Sequence, residues 1–416
     1  MTQNKTSSVE EIRKNFPALA RVHNGFPVAY FDGPGGTQVP RRVVEAMTDY
    51  LFNHNANAHW AFPTSRETDQ ILADSRRALA DFLNAAPDEI AFGQNMTSLA
   101  FHLARALGRD LTSDDEIIVT ELDHHANVDT WRSLEKERGV RVRVVPMDIE
   151  TGTLEFAALE NLLNSKTKLL AIGAASNAIG TITDVKRACA LAKENGTLTF
   201  VDAVHYAAHN LIDVADWACD FLSCSAYKFY GPHIGILYGR RELLEKIDFP
   251  KLQPAPNAAP ERAETGTQSH ESIAGAGAAI DFLAELSTGE TRRERLQNTF
   301  TEIHRRKREL FKNLWEGLSS IPGVRPYGQP VQAERTPTVA FTVEGVPARG
   351  VAEKLAARGV FASHGNFYAL TVVDRLGLTE NGLVRAGIAC YTTAEEIERL
   401  IDGVRSAVGG RRATID

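Results

Sequence analysis

The stretch FLSCSAYKFYGPHIGILYG, Phe221 to Gly239, sets one lysine, Lys228, between two apolar runs that read as buried strands. Lysine is among the residues least often buried, because its ammonium is costly to desolvate unless a partner or the loss of a proton relieves it. A lysine on a tight turn between two core strands suits an amine that condenses with a carbonyl group. The plainer reading is a turn lysine whose head reaches solvent.

Runs of the same kind recur on the amino-terminal side, between Ala91 and this turn: EIAFG, EIIVTEL, RVRVVPM, KLLAIGAASN and LTFVDA. Between them lie segments such as SLAFHLARALG and DVKRACALAKENG, with apolar residues at helical spacing. The alternation predicts an α/β fold with a doubly wound, mainly parallel seven-stranded sheet covered on both faces. Ligands of such sheets collect outside the carboxyl ends of the strands.

From Thr291 the pattern changes to TRRERLQNTFTEIHRRKRELFKNLWEGL, which predicts a long helix with a charged solvent face. TVAFTVEG, ARGVAEKLAARG, VFASHG, LVRAGIA and TAEEIERLIDGV follow and predict a smaller α+β domain. The Pro- and Ala-rich KLQPAPNAAPERAETGTQSH, residues 251–270, reads as an exposed excursion. The expected division is a segment over 1–30 packing with the small domain, a large domain over 31–290, and a small domain over 291–416.

The 416 residues are 43% hydrophobic and 24% charged, an ordinary globular mixture. With 46 basic and 53 acidic residues the net charge is −7, so no overall cationic field favours nucleic acid. No apolar run is long enough to span a bilayer and no secretion signal is present, so a soluble, cytoplasmic protein is expected. Cysteines 189, 219, 224 and 390 lack C-x-x-C spacing and read as buried, reduced thiols rather than disulfides or metal ligands.

Polar residues at strand ends carry the chemistry. Asp202 closes LTFVDA and lies twenty-six residues before Lys228, one helix-sized connection and one strand away. An anion and an amine at neighbouring strand ends are what pyridoxal 5′-phosphate requires: a lysine for its aldehyde and a carboxylate for its ring nitrogen. Met96, Thr97 and Ser98 stand where a strand gives way to a helix, a place suited to the phosphate. His124 or His125, after another strand, could stack on the ring, and Asn177 could donate to its phenolate oxygen.

In order along the chain, YFDGPGGTQVP, NANAHWAFPTS, DHHAN, SNAIGT, VDAVH, SAYKFYGPHIGILYG, RAETGT and LVRAGIACYTTAEEIERL resemble the class V aminotransferases, specifically their cysteine desulfurase and selenocysteine lyase branch. The resemblance runs from about Tyr30 to Val404. It implies the fold-type I architecture, pyridoxal phosphate as cofactor, an amino-acid substrate, and a homodimer whose two active sites share residues. It assigns Lys228 as the cofactor-linked lysine, Asp202 as the ring-nitrogen partner and His124 as the stacking residue. Asn177 and His205 would hold the phenolate oxygen, with His205 standing where the family more often has glutamine. Thr97 and Ser225 would bind phosphate beside Met96, with Thr267 contributed by the other subunit, and Tyr227 replaces the family's histidine before the lysine. Arg385 would clamp the substrate carboxylate, and Asn57, His59, His364, Asn366 and Tyr368 would line the substrate.

One departure bears on the reaction. Desulfurases of this branch carry a mobile cysteine in the loop after RGVFA, near the position of Asn366 or Phe367; here the loop is SHGNFYALTVVDRLG, Ser363 to Gly377, without a thiol. The expected chemistry is therefore C–S or C–Se β-elimination with no protein persulfide. Transamination, epimerisation and true desulfurase activity are the alternatives.

Overall fold

The structure, a computed structural model, describes residues 6–409; the outermost residues of the first and last expected units, 1–5 and 410–416, lie outside the described residues. The sheet of the large unit has seven strands: β1 (Ile90–Gly93), β2 (Glu116–Thr120), β3 (Arg141–Val145), β4 (Thr167–Gly173), β5 (Leu198–Asp202), β6 (Phe221–Ser225) and β7 (Gly235–Gly239). Their order is β1-β7-β6-β5-β4-β2-β3. All run parallel except β7, which is antiparallel to both β6 and β1. The short β6–β7 connection through Lys228 explains this, since a parallel return needs a crossover of a dozen residues or more.

Successive strand residues point to opposite faces. Ile117 and Val119 of β2, with Leu169 and Ala171 of β4, join Leu103 of helix α1 (Met96–Leu107) and Trp131 of α2 (Asp129–Arg138). Ile118, Leu170 and Ile172 face the other way, into a cluster holding Ala188 of α3 (Val185–Glu194) and Ile280 of α4 (His270–Glu285). Both faces are thus covered, and each buried Leu or Ile contributes about 1.5–3 kcal/mol relative to exposure.

A second, antiparallel sheet contains β8 (Val324–Tyr327), β9 (Thr338–Val343), β10 (Ser363–Gly365) and β11 (Leu383–Gly387), in the order β8-β9-β11-β10. The predicted long helix is α5 (Arg292–Ser319). Its first half buries Leu296, Phe300 and Ile303 in the large cluster, and its second half buries Phe311, Leu314 and Leu318 in the cluster of the small sheet. We propose a division near residues 30 and 290, with α5 as a shared wall.

The amino-terminal residues touch both parts. Phe16 packs edge-on against Tyr230 and Phe282, Arg13 pairs with Glu396, and Ala29–Tyr30 forms a parallel pair with Val360–Phe361. The excursion over 251–270 is not exposed throughout: Ala263 is buried, and the Glu264 carboxylate accepts from Phe92 N at 2.9 Å and pairs with Arg76 at 3.0 Å. It closes the outer side of edge strand β1. Among the described residues no helix is long and apolar enough to cross a membrane.

Candidate active site

The turn after β6 brings Lys228 beneath the loop that follows Asp32. Lys228 Nζ donates to Pro34 O at 2.5 Å and Gly35 O at 3.0 Å, and lies 5.0 Å from the centre of the Tyr227 ring. Tyr227 stacks in turn on His233, and burial raises the pKa of its hydroxyl. Burial lowers the Lys228 pKa to about 7, the Arg385 charge acting in the same direction and Asp202 against it. At neutral pH a large share of this lysine is free amine. Reloading of apoprotein with pyridoxal phosphate should therefore accelerate about tenfold per pH unit below pH ~7 and level off above it. A rate still climbing tenfold per unit at pH ~8 would place the amine in the ordinary lysine range.

Asp202 closes β5 and is buried, with Oδ1 accepting from Val204 N at 2.9 Å. Burial raises its pKa to about 6, opposed by the Val204 amide and the Lys228 charge. Behind it lies a carboxyl group that sequence reasoning missed. Asp123 Oδ1 accepts from Gly173 N and Oδ2 from Asn127 Nδ2, each at 2.8 Å, while burial and then the Asp202 charge push its pKa to about 8. Near pH 7 Asp123 keeps its proton and Asp202 carries the charge. The only signal in the sequence was its place before the two histidines of DHHAN.

The structure separates those histidines. His125 pairs with Asp129 at 2.9 Å and with Thr371 at 3.1 Å. His124 accepts from Ala126 N through Nδ1 at 3.0 Å, stacks against Tyr368 with ring centres 5.4 Å apart, and has its pKa lowered to about 4 by burial and then by the charges of Lys228 and Arg385. His124 is a neutral ring beside the lysine.

Asn177 donates from Nδ2 to Phe367 O at 2.8 Å, and its Oδ1 is buried without a hydrogen-bond partner. His205 is buried and neutral, with Nε2 engaged by Thr336 Oγ1 at 3.0 Å and Thr338 Oγ1 at 3.3 Å, so Nδ1 is the ring nitrogen left for a ligand. Arg385, on β11, is buried. It donates from Nη1 to Asn177 O at 2.8 Å, and its Nε has no partner. Burial lowers its pKa to about 9, still cationic at neutral pH, with Asp32 acting against the shift.

At the other end of the cluster, Met96 N donates to Ser225 Oγ at 3.0 Å, and Asn95 caps α1 by accepting from Ser98 N. Thr97 is exposed on the first turn of this helix. The close approach requires Gly235, because a Cβ there would lie 2.4 Å from the Asn95 carbonyl carbon. The remaining residues have contacts elsewhere or face solvent. Asn57 O accepts from Ser65, His59 pairs with Asp69, Thr267 is exposed, and His364 lies on β10 opposite Val384. Asn366 Oδ1 accepts from Tyr368 N at 3.1 Å.

This arrangement, a lysine and a carboxylate at adjacent strand ends above a helix amino terminus, has close counterparts. Residues 29–400 match the profile described as Aminotransferase class-V. The chain belongs to the class-V aminotransferase family. A cysteine desulfurase of Pectobacterium carotovorum subsp. carotovorum is 35% identical over 413 residues, covering 95% of this chain and 97% of that protein. The apo cysteine desulfurase of Thermococcus onnurineus NA1 superposes with a TM-score of 0.87 at 28% identity, covering 96% of this chain and 98% of the other. The cysteine desulfurase CsdA of Escherichia coli superposes at 0.83 with 26% identity, over 96% and 98% of the two chains.

The protein is thus a cysteine desulfurase-like class-V aminotransferase of fold type I and a pyridoxal phosphate-dependent enzyme. The residues present fit that cofactor. The part-deprotonated lysine matches an aldehyde, the buried carboxylate a protonated ring nitrogen, and the Ser225 hydroxyl with the α1 terminus a phosphate. The buried, unpartnered Asn177 Oδ1 and Arg385 Nε are polar atoms of the kind a bound ligand satisfies.

Proposed function

We propose that this class-V aminotransferase cleaves the Cβ–S or Cβ–Se bond of a small amino acid by β-elimination and releases the sulfur or selenium directly to solvent. The observation that carries the reading is the loop Ser363–Gly377, which has aromatic residues where a thiol acceptor would be needed. Cys390, the nearest cysteine in sequence, is buried and its pKa is pushed up to about 11, so almost none of it is thiolate at neutral pH. The other three cysteines are buried as well.

Bound pyridoxal phosphate supplies an electron sink for the charge left when the substrate Cα loses its proton. On this reading Lys228 Nζ takes that proton, and the Arg385 fork holds the substrate carboxylate. Asp202 keeps a negative charge at the cofactor's ring nitrogen, and His124 covers one face of the ring. Asn177 and His205 stand around the phenolate oxygen, and the Tyr227 hydroxyl serves the phosphate in place of the family's histidine. Met96, Thr97 and Ser225 take the phosphate, and the partner subunit's Thr267 joins them in a cytoplasmic homodimer with shared sites. Asn57, His59, His364, Asn366 and Tyr368 line the substrate.

The net change adds one water to the amino acid and yields pyruvate, ammonia and a thiol or selenol, with no net oxidation. Holoenzyme given cysteine and S-alkyl cysteines should release pyruvate, ammonia and sulfide or thiol in equal amounts, and Cys390→Ser should alter the rate by less than about twofold. Stoichiometric alanine, or a persulfide mapped to Cys390, would restore the desulfurase reading. Formation of a new amino acid from an added keto acid would make the protein a transaminase.

A further inference from the structure

The loop that lacks a thiol makes contacts of its own. Phe367 and Tyr368 both have φ of +57°, a left-handed conformation that bulky L-residues rarely adopt and that persists only where the surroundings impose it. Four hydrogen bonds hold the turn: Asn177 Nδ2 to Phe367 O at 2.8 Å, His125 N to Tyr368 O at 2.7 Å, Tyr368 N to Asn366 Oδ1 at 3.1 Å, and Ala369 N to Asn366 O at 2.8 Å. The conformation directs the Phe367 ring beneath Arg385, whose guanidinium carbon lies 4.1 Å from the ring centre. Phe367 also packs against the large hydrophobic cluster, so the ring is wedged between core and cation.

We propose that Phe367 is a positioning residue that fixes the plane of the Arg385 guanidinium for the substrate carboxylate. The proposal rests on the reading of Arg385 as the carboxylate clamp. The ring covers one face of the fork, and Asn177 O occupies Nη1. The Nε side is left buried without a partner, and it is the edge through which a carboxylate can bind in bidentate fashion. An aromatic face attracts a desolvated guanidinium electrostatically and keeps water from that side. An aliphatic side chain of similar size would fill the space without holding the plane. The loop that offers a mobile sulfur acceptor in desulfurases is here a fixed support for substrate binding.

The test uses holoenzyme and two probes: L-alanine, which lacks a leaving group on Cβ, and ethylamine, the same skeleton without the carboxylate. Binding is read from the change in cofactor absorbance. Phe367→Ala and Phe367→Leu should each weaken alanine about tenfold and ethylamine by less than about twofold, while Phe367→Tyr should stay near the parent. The leucine variant keeps the core filled, so it remains informative if the alanine variant fails to fold. Leucine as effective as phenylalanine, or equal losses for both probes, would overturn the proposal. Arg385→Lys separates the two levels of argument. If it weakens alanine selectively while the Phe367 variants do not, the positioning proposal alone falls. If it leaves alanine binding unchanged, the carboxylate-clamp reading falls first.

Discussion

A Lys228→Ala protein is expected to bind pyridoxal phosphate without covalent attachment and to lose turnover by about a thousandfold or more. The size of the effect follows from two duties of one atom. On the proposed mechanism Nζ is both the amine that joins the cofactor and the base that removes the Cα proton. Its depressed pKa, near 7, serves both, because only the uncharged amine can attack an aldehyde or accept a proton. The variant loses both functions at once, although Asp202, Ser225 and the start of α1 are intact. Borohydride reduction followed by peptide mapping should place the cofactor on Lys228 in the parent and on no residue in the variant. Label on another lysine, or turnover within tenfold of the parent, would refute the assignment.

The second large effect is expected at Asp202. Asp202→Ala should lower kcat by about a hundredfold or more while cofactor affinity falls far less, since the groups at the start of α1 and Ser225 are untouched. The carboxylate matters through its charge, so the parent should also show an acid limb. The raised pKa near 6 means that the anion is present above that pH and is lost as pH falls through it. Asp123, whose own pKa is raised in part by the Asp202 charge, does not add to this limb. It holds its proton up to about pH 8, partly because Asp202 is ionised, and so the pair carries a single negative charge at neutral pH. Steady-state kinetics and cofactor titration on the same preparations separate the two readouts; equal losses in kcat and in cofactor affinity would count against the electrostatic argument.

The strands were legible because each is a short, nearly continuous apolar run, the form taken by strands buried on both faces. β8 was not read because it contains Pro326, which an interior strand excludes but an edge strand paired only with β9 tolerates. Lys228, Asp202 and Asn177 were readable as polar interruptions at strand ends. Asp123 was hidden because its carboxylate is held by Gly173 N, fifty positions away in sequence. The Thr336 and Thr338 contacts of His205 span still longer separations, 131 and 133 positions. Phe367 stood out only by its place near the family's cysteine; its contact with Arg385 depends on a backbone conformation that its residue type disfavours.

The parallel pairing of Ala29–Tyr30 with Val360–Phe361 has a consequence for biosynthesis. The first partner leaves the ribosome early, and the second follows about 330 residues later, which at roughly 5–20 residues per second is a delay of tens of seconds. Pro34 and Gly35, whose carbonyl groups hold Lys228, lie just beyond that early strand. Nascent chains can complete the seven-stranded sheet from residues up to Gly239 while the strand that anchors this lysine-holding loop still lacks its partner. The loop that holds Lys228 is thereby expected to gain its last anchor only when translation is nearly finished.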